Sequence, residues 1–169
     1  MKITNSTKAD IPEIFRLYAE AAAHQAKVGA TVVWPTFERQ LVATEISEKR
    51  QWKMMIEEEI ACVWAITFED EQIWEERNAD PAIYIHRIAT NPDFRGQNFV
   101  TRIVDWAKVY AQSRGKEYVR LDTIGENLPL IQHYTKAGFN FLGMFQMKNT
   151  DGLPAHYESG EVALFEIKL

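Results

Sequence analysis

Residues 85–116 read IHRIATNPDFRGQNFVTRIVDWAKVYAQSRGK, and their reading decides the fold. An apolar strand, Ala82 to Thr90, runs into Asn91-Pro92. Proline has no N–H to give a ladder, so the strand is expected to stop there. Arg95-Gly96 follows, and a helix is expected from about Gly96 to Arg114. Phe99, Ile103, Ala107 and Tyr110 fall on one side of it, with Val100, Val104 and Ala111 beside them, which makes a wide face to bury. Gly115 closes the helix, and Arg114 and Lys116 suit the negative end of its dipole. Tyr118 to Ile124 is the next strand. Strand, helix, strand in this order is a β-α-β unit.

Outward from that unit the chain reads as one domain, residues 1–169, with no internal repeat, low-complexity tract or linker. MKITNST is a short first strand. Asp10 precedes Ile11-Pro12-Glu13, a helix start with a capping side chain, an early proline and a glutamate three residues on. Ile14, Phe15, Tyr18 and Ala22 give that helix an apolar stripe, and it is expected to end near Gly29. Thr36 is placed to cap a second helix reaching about Lys49. Trp52–Glu57 and Ile60–Phe68 read as a hairpin turning at the glutamates 57–59. The polar stretch EDEQIWEERNADP is expected to be mostly loop. Asn127-Leu128-Pro129 opens a short helix that Gly138 ends, and Asn140–Lys148 and Ala163–Leu169 are expected to pair across the loop between them. The order predicts a mixed α/β domain with a mostly antiparallel sheet flanked by helices.

Bulk properties narrow the class. A chain of 169 residues can bury a full core, and 46% hydrophobic with 25% charged residues is ordinary for a globular protein. The formal net charge of -5 argues against a nucleic-acid surface, which shows a basic stripe. Cys62 is the sole cysteine, so no disulfide forms within the chain and a cytoplasmic location is expected. It lies in the apolar run IACVWAI and reads as a small buried hydrophobe. No hydrophobic signal core or bilayer-length segment is present, so no membrane partner is expected.

The turn at NPDFRGQNFV is shaped for an anion. The N–H groups of a helix's first turn, here near Gln97 to Thr101, point outward at the positive end of the dipole, and Arg95 adds a planar donor fork. Phosphate or pyrophosphate suits that geometry. A plain strand-to-helix turn carrying an exposed arginine fits the same residues equally well. No Gly-Lys-Ser/Thr loop and no Gly-x-Gly-x-x-Gly fingerprint is present, so P-loop hydrolysis and Rossmann dinucleotide binding fit poorly.

IATNPDFRGQ resembles the strand-to-helix segment of the GNAT superfamily of N-acetyltransferases, where an Arg-Gly-Gln-Gly-x-Gly-like turn cradles the pyrophosphate of acetyl-CoA. NLPLIQHYTKAGF is similar to the family's second signature, an Asn, a Tyr seven residues later, then Gly-Phe. The element order matches as well, so the resemblance covers essentially the whole chain. It implies a three-layer domain whose sheet is splayed at its centre, and an acetyl-CoA-dependent N-acetyltransferase acting on a small amine or a peptide amine. The other readings are a non-catalytic CoA-binding or regulatory module of the same fold and an interaction domain that binds no cofactor. The chain departs from the family at Asn98 and Val100, where glycine, or glycine then alanine, is preferred. Either Val100 packs inward and the N–H groups still face the ligand, or cofactor binding is weakened.

The resemblance carries roles to particular residues. Ile88, Ala89 and Thr90 would present main-chain groups to the pantetheine arm. Arg95, Gly96, Gln97, Asn98, Phe99, Val100 and Thr101 would hold the pyrophosphate, with Asn127 and Tyr134 also touching the cofactor. Tyr134 would protonate the departing thiolate. Asn127 serves equally as a helix cap, and Tyr134 as a packed aromatic. No carboxylate lies between Ala82 and Thr90 to act as base. Tyr84 and His86 share one face by the period-two rule, and His86 titrates in the useful range or is a structural histidine. Asp122, on the neighbouring strand, is a further candidate. Trp34, Phe37 and Trp74 would line the acceptor pocket, or else fill the core, and Trp64 reads as core. Glu75 and Glu76 would meet a cationic substrate, or form a solvated loop. His24, His133 and His156 lack ligand spacing, so no metal is expected. A homodimer is compatible with the sequence but not specified by it.

Overall fold

The computed structural model describes Met1–Leu169. Its elements are β1 (Lys2–Asn5), α1 (Ile11–Lys27), α2 (Arg39–Ser47), β2 (Gln51–Ile56), β3 (Glu59–Thr67), α3 (Glu71–Trp74), β4 (Ala82–Thr90), α4 (Phe99–Ser113), β5 (Tyr118–Ile124), α5 (Leu128–Lys136), β6 (Asn140–Gln146) and β7 (Glu161–Lys168). Contact density divides the chain into two units. The first holds Met1–Ile66 with His86–Gln97, and the second holds Thr67–Ile85 with Asn98–Leu169. No helix is long and apolar enough to cross a membrane.

In the first unit the strand order is β1-β2-β3-β4, with β1–β2 and β2–β3 antiparallel. The β2–β3 turn is tight, and Glu57 takes a left-handed backbone there at φ 53°. Ile11, Ile14, Leu17 and Tyr18 of α1 are buried, spaced three and four apart as a helix stripe requires. They pack with Val42 and Ile46 of α2, Ile60 and Val63 of β3, and Ala89 of β4. Phe15 is only partly buried in this cluster, so the true stripe runs one position round from the expected one.

Helix starts differ from expectation for local reasons. The Asp10 carboxylate does not cap α1. It accepts hydrogen bonds from Thr7 N–H (2.6 Å), the Thr7 hydroxyl (2.9 Å) and Lys53 Nζ (2.7 Å). Thr7 and Asp10 thus form the capping box of a 3-10 turn over Lys8–Asp10, which leads straight into Ile11 and Pro12. Glu13 pairs with Arg16 instead. Helix α2 starts three residues after the expected Thr36, with Glu38 as its N-cap. The stretch expected to be loop holds α3 and a 3-10 helix over Glu75–Ala79.

In the second unit the order is β4-β5-β7-β6. Ala82–Ile85 run parallel to Tyr118–Leu121, as the β-α-β reading requires, whereas β5–β7 and β6–β7 are antiparallel. Register slips between Phe141 and Gly143 on β6, where Gly143 takes φ +119°, a conformation that needs glycine. Phe99, Val100, Ile103, Val104, Ala107 and Ala111 form the buried face of α4. Tyr110 lies outside it and stacks on Trp106 at 5.1 Å. Trp74, Ala82, Tyr84, Tyr157, Val162 and Leu164 form a second cluster. The chain is therefore mixed α/β with helices and a mostly antiparallel set of strand pairings, as its sequence predicts.

Candidate active site

The end of β4 is pinned from two directions. Asn91 donates its main-chain N–H to the Ala61 carbonyl (2.9 Å) and its side-chain amide to the Ile60 carbonyl (3.0 Å). The Asn91 side-chain oxygen accepts from Asp93 N–H (3.2 Å), which folds Pro92–Phe94 into a 3-10 turn. Ala89 is buried, Ile88 and Thr90 are half-buried, and the Thr90 hydroxyl lies 3.7 Å from Cys62 Sγ. Burial pushes the Cys62 thiol up to about 12, so it stays protonated and unreactive.

Beyond the 3-10 turn, Arg95, Gly96, Gln97 and Asn98 are exposed. Gly96 takes φ +81° and Asn98 φ +56°. Of non-glycine residues, asparagine is among those that best tolerate the left-handed region, so it fills a glycine's place at small cost. Helix α4 opens at Phe99, three residues later than the sequence predicts, because the left-handed Asn98 cannot itself be helical. Phe99 and Val100 are both buried. Their side chains turn into the core and leave only main chain at the helix start. Asn98 makes no side-chain cap, so it leaves the N–H groups of Phe99, Val100 and half-buried Thr101 uncapped.

In the second unit, Asn127 caps α5 by accepting from Leu130 N–H (3.0 Å) through Oδ1, which leaves its amide NH₂ for other partners. Tyr134, on the same helix, is half-buried against Phe165 (5.4 Å between centroids) and Phe139 (6.1 Å). Phe165 pairs with Leu121, and Asp122 pairs with Leu164. Successive strand residues face opposite ways, so Tyr134 and Asp122 lie on opposite faces of the β5–β7 ladder.

Asp122 shares its face with a group the sequence did not single out. Tyr157 donates its hydroxyl proton to Asp122 Oδ2 at 2.8 Å. Asp70, just before α3, brings a carboxylate oxygen within 4.8 Å of one from Asp122. Burial pushes the Asp70 carboxyl up to about 8, and the charge of Asp122 adds to the rise. Burial also pushes Asp122 up to about 6, against the lowering pull of the Tyr157 hydrogen bond. Two carboxylates this close in a low-dielectric setting share a proton near neutral pH and titrate as a pair.

The remaining expected residues are placed as follows. Tyr84 is fully buried, and its oxygen lies 3.3 Å from Arg120 Nη1, which donates to it. His86 is half-buried two residues along β4. Trp74 lies in the second unit's core with the Arg120 guanidinium 4.7 Å from its ring centroid. Phe37 is buried in the first unit beneath Arg87, while Trp34 is half-buried and meets Tyr18 edge-on at 5.9 Å. Glu75 pairs with Lys148 (2.8 Å).

Comparison with known proteins bears on the family and the fold. The family model described as the acetyltransferase (GNAT) family matches residues 32–139, well over half of the chain. The uncharacterized N-acetyltransferase YesJ of Bacillus subtilis is 30% identical over 74 residues, which make up 44% of this chain and 41% of YesJ. The chain thus matches less than half the length of that relative. Among solved structures, a GNAT-family acetyltransferase from Listeria monocytogenes aligns with a TM-score of 0.78 at 22% identity, over 99% of this chain and 94% of that one. YncA of Salmonella typhimurium, solved with its cofactor acetyl-CoA, aligns with a TM-score of 0.69 at 13% identity, over 100% of this chain and 94% of that one. At these identities the two structures speak to fold alone, and with the family model they place the chain: it belongs to the GNAT acetyltransferase family.

Proposed function

We propose that the chain is a single-domain, cytoplasmic, acetyl-CoA-dependent N-acetyltransferase whose acceptor is the amine of a small molecule or peptide. The observation that carries this reading is the start of α4. Asn98 takes the left-handed turn that a glycine would otherwise supply, and Val100 packs inward. The two departures from the family pattern therefore leave a helix start whose first N–H groups are not capped by the Asn98 side chain, an arrangement suited to a pyrophosphate. Arg95 adds a charged fork, and Ile88–Thr90 offer main-chain groups to the thioester arm.

The reaction joins an amine nitrogen to the thioester carbonyl carbon and breaks the C–S bond. An alkyl amine holds its proton up to pH ~10 and must lose it before attack. The Asp70–Asp122 pair, with one carboxylate ionised near neutral pH, is the proposed acceptor of that proton. Tyr134 is the proposed donor to the departing thiolate, and it stands on the other face of the β5–β7 ladder.

Calorimetric titration with acetyl-CoA, with CoA and ATP as controls, tests the binding half. Acetyl-CoA and CoA are expected to bind well above ATP, and no binding at millimolar cofactor overturns the reading. Turnover against a panel of amines tests the catalytic half. In Tyr134→Phe, kcat is expected to fall by roughly 10²–10⁴ with acetyl-CoA affinity kept. Binding without turnover on any amine would leave a CoA-binding module.

A further inference from the structure

Strand β4 carries an irregularity that the proposed chemistry does not itself explain. Arg87 takes φ +51° in the middle of the strand. L side chains avoid this conformation, and inside a strand it marks a bulge that re-aims the chain after it. A non-glycine residue stays there only where its surroundings hold it.

The surroundings are specific. Arg87 Nη2 donates to Glu45 Oε1 of α2 in a short ion pair, and the side chains are 12% and 2% exposed. Arg87 Nε donates to the Tyr18 hydroxyl of α1 at 3.4 Å. The guanidinium lies over the Phe37 ring, 5.4 Å from its centroid. Tyr18 in turn donates its hydroxyl to Gln51 Oε1 of β2 at 3.5 Å. Helices α1 and α2, with Phe37 from the segment between them, therefore grip one side chain. Four residues on, Asn91 is bolted to β3 by its main chain and its side chain. Ile88, Ala89 and Thr90 lie between these two anchors.

We propose that Arg87, clamped by Glu45 and Tyr18, is a positioning residue: the clamp holds the bulge and so aims the main-chain groups of Ile88–Thr90 that acylation uses. This rests on the acetyltransferase reading for its consequence, though not for its geometry. Neither Arg87 nor Glu45 is among the residues assigned to the cofactor or the acceptor. Their effect is transmitted through backbone.

The test must separate aiming from simple stability, because Arg87→Met alone leaves buried Glu45 with only the more distant Arg50 (3.9 Å) to balance it and unsettles the fold. The double variant Arg87→Met/Glu45→Met removes both charges and is expected to regain most of the wild-type Tm. Its acetyl-CoA Kd is nevertheless expected to rise at least tenfold and its kcat to fall, with the KM for the amine changed less than threefold. Recovery of acetyl-CoA affinity together with Tm overturns the proposal, and so does a change confined to the amine KM. NMR order parameters of the Ile88–Thr90 amides, measured without ligand, keep the two readings apart. They are expected to fall from about 0.85 to below about 0.6 in the double variant. Unchanged order parameters overturn the clamp even if the wild type binds acetyl-CoA. Wild type that fails to bind acetyl-CoA, with order parameters that do fall, overturns the acetyltransferase reading and leaves the clamp standing.

Discussion

Asn98 shows how one residue can break a sequence pattern and keep its geometry. Its φ of +56° is open to glycine, and to asparagine at small cost, but it penalises a residue such as alanine by roughly 1–2 kcal/mol. Asn98→Ala is expected to lower Tm by about 2–4 °C for each kcal/mol and to weaken acetyl-CoA severalfold, whereas Asn98→Gly keeps both near wild type. Calorimetry on the two variants checks this, and equal behaviour would mean that the left-handed turn is unimportant. The acid pair makes a second prediction at this scale. A base acts only when deprotonated, so turnover should rise with pH through the range from about 6 to about 8 and be lost below it. In Asp70→Asn the profile of kcat against pH should keep a single lower inflection. A profile identical to wild type excludes Asp70 from the proton path. The two residues differ in how readable they were. Asn98 sits inside a local turn motif, so sequence alone raised the question that the backbone answers. Asp70 comes beside Asp122 through long-range packing of α3 on β5, and no local spacing encodes that.

At the scale of elements, the β5–β7 ladder keeps two environments apart by alternation alone. Leu121 and Phe165 face α5, while Arg120 and Asp122 face the cluster of Trp74 and Tyr84. Arg120, only 1% exposed, organises that second face. It donates to Glu166 Oε2 (2.8 Å), the Arg77 carbonyl (2.6 Å) and the Tyr84 hydroxyl (3.3 Å), pairs with Asp80, and stacks on Trp74 and Tyr118. Arg120→Met is expected to cost about 2–4 kcal/mol in urea unfolding, since one truncation undoes several hydrogen bonds and two ion pairs. Glu166→Gln should cost under ~1 kcal/mol, because its side chain is 19% exposed and water can replace part of the contact. Similar costs for the two would mean that the Glu166 pair, not the whole network, carries the stability. The strands and the β-α-β unit were legible because period-two and helical patterns are local. The network was not, because a lone arginine in YVRLDTI carries no sign of the tryptophan or carboxylates it will meet.

Across the whole molecule, the two units carry carboxylates shifted in opposite directions. In the first unit, despite the upward pull of burial, hydrogen bonds from Lys53 and Thr7 hold Asp10 below the usual carboxylate range. A lowered pKa gives stability that is present above the unfolded value and lost as pH falls through the folded one. In the second unit Asp70 and Asp122 are raised by burial. The folded state then holds more protons than the unfolded state between about pH 4 and 8, so stability is full in acid and lost as pH rises through the folded values. One chain therefore contains two opposed pH slopes. Hydrogen exchange, corrected for the intrinsic rate, should show β5 and β7 losing protection as pH rises from about 4 to about 8 while β1 and β2 hold theirs, and the reverse order below about pH 4. Asp70→Asn should remove most of the alkaline loss and leave the acid limb untouched. If both units instead lost protection together at both ends of the range, the buried pair would not be tuning the second unit separately. A base held ready for an amine would then have been kept without measurable cost to the fold around it.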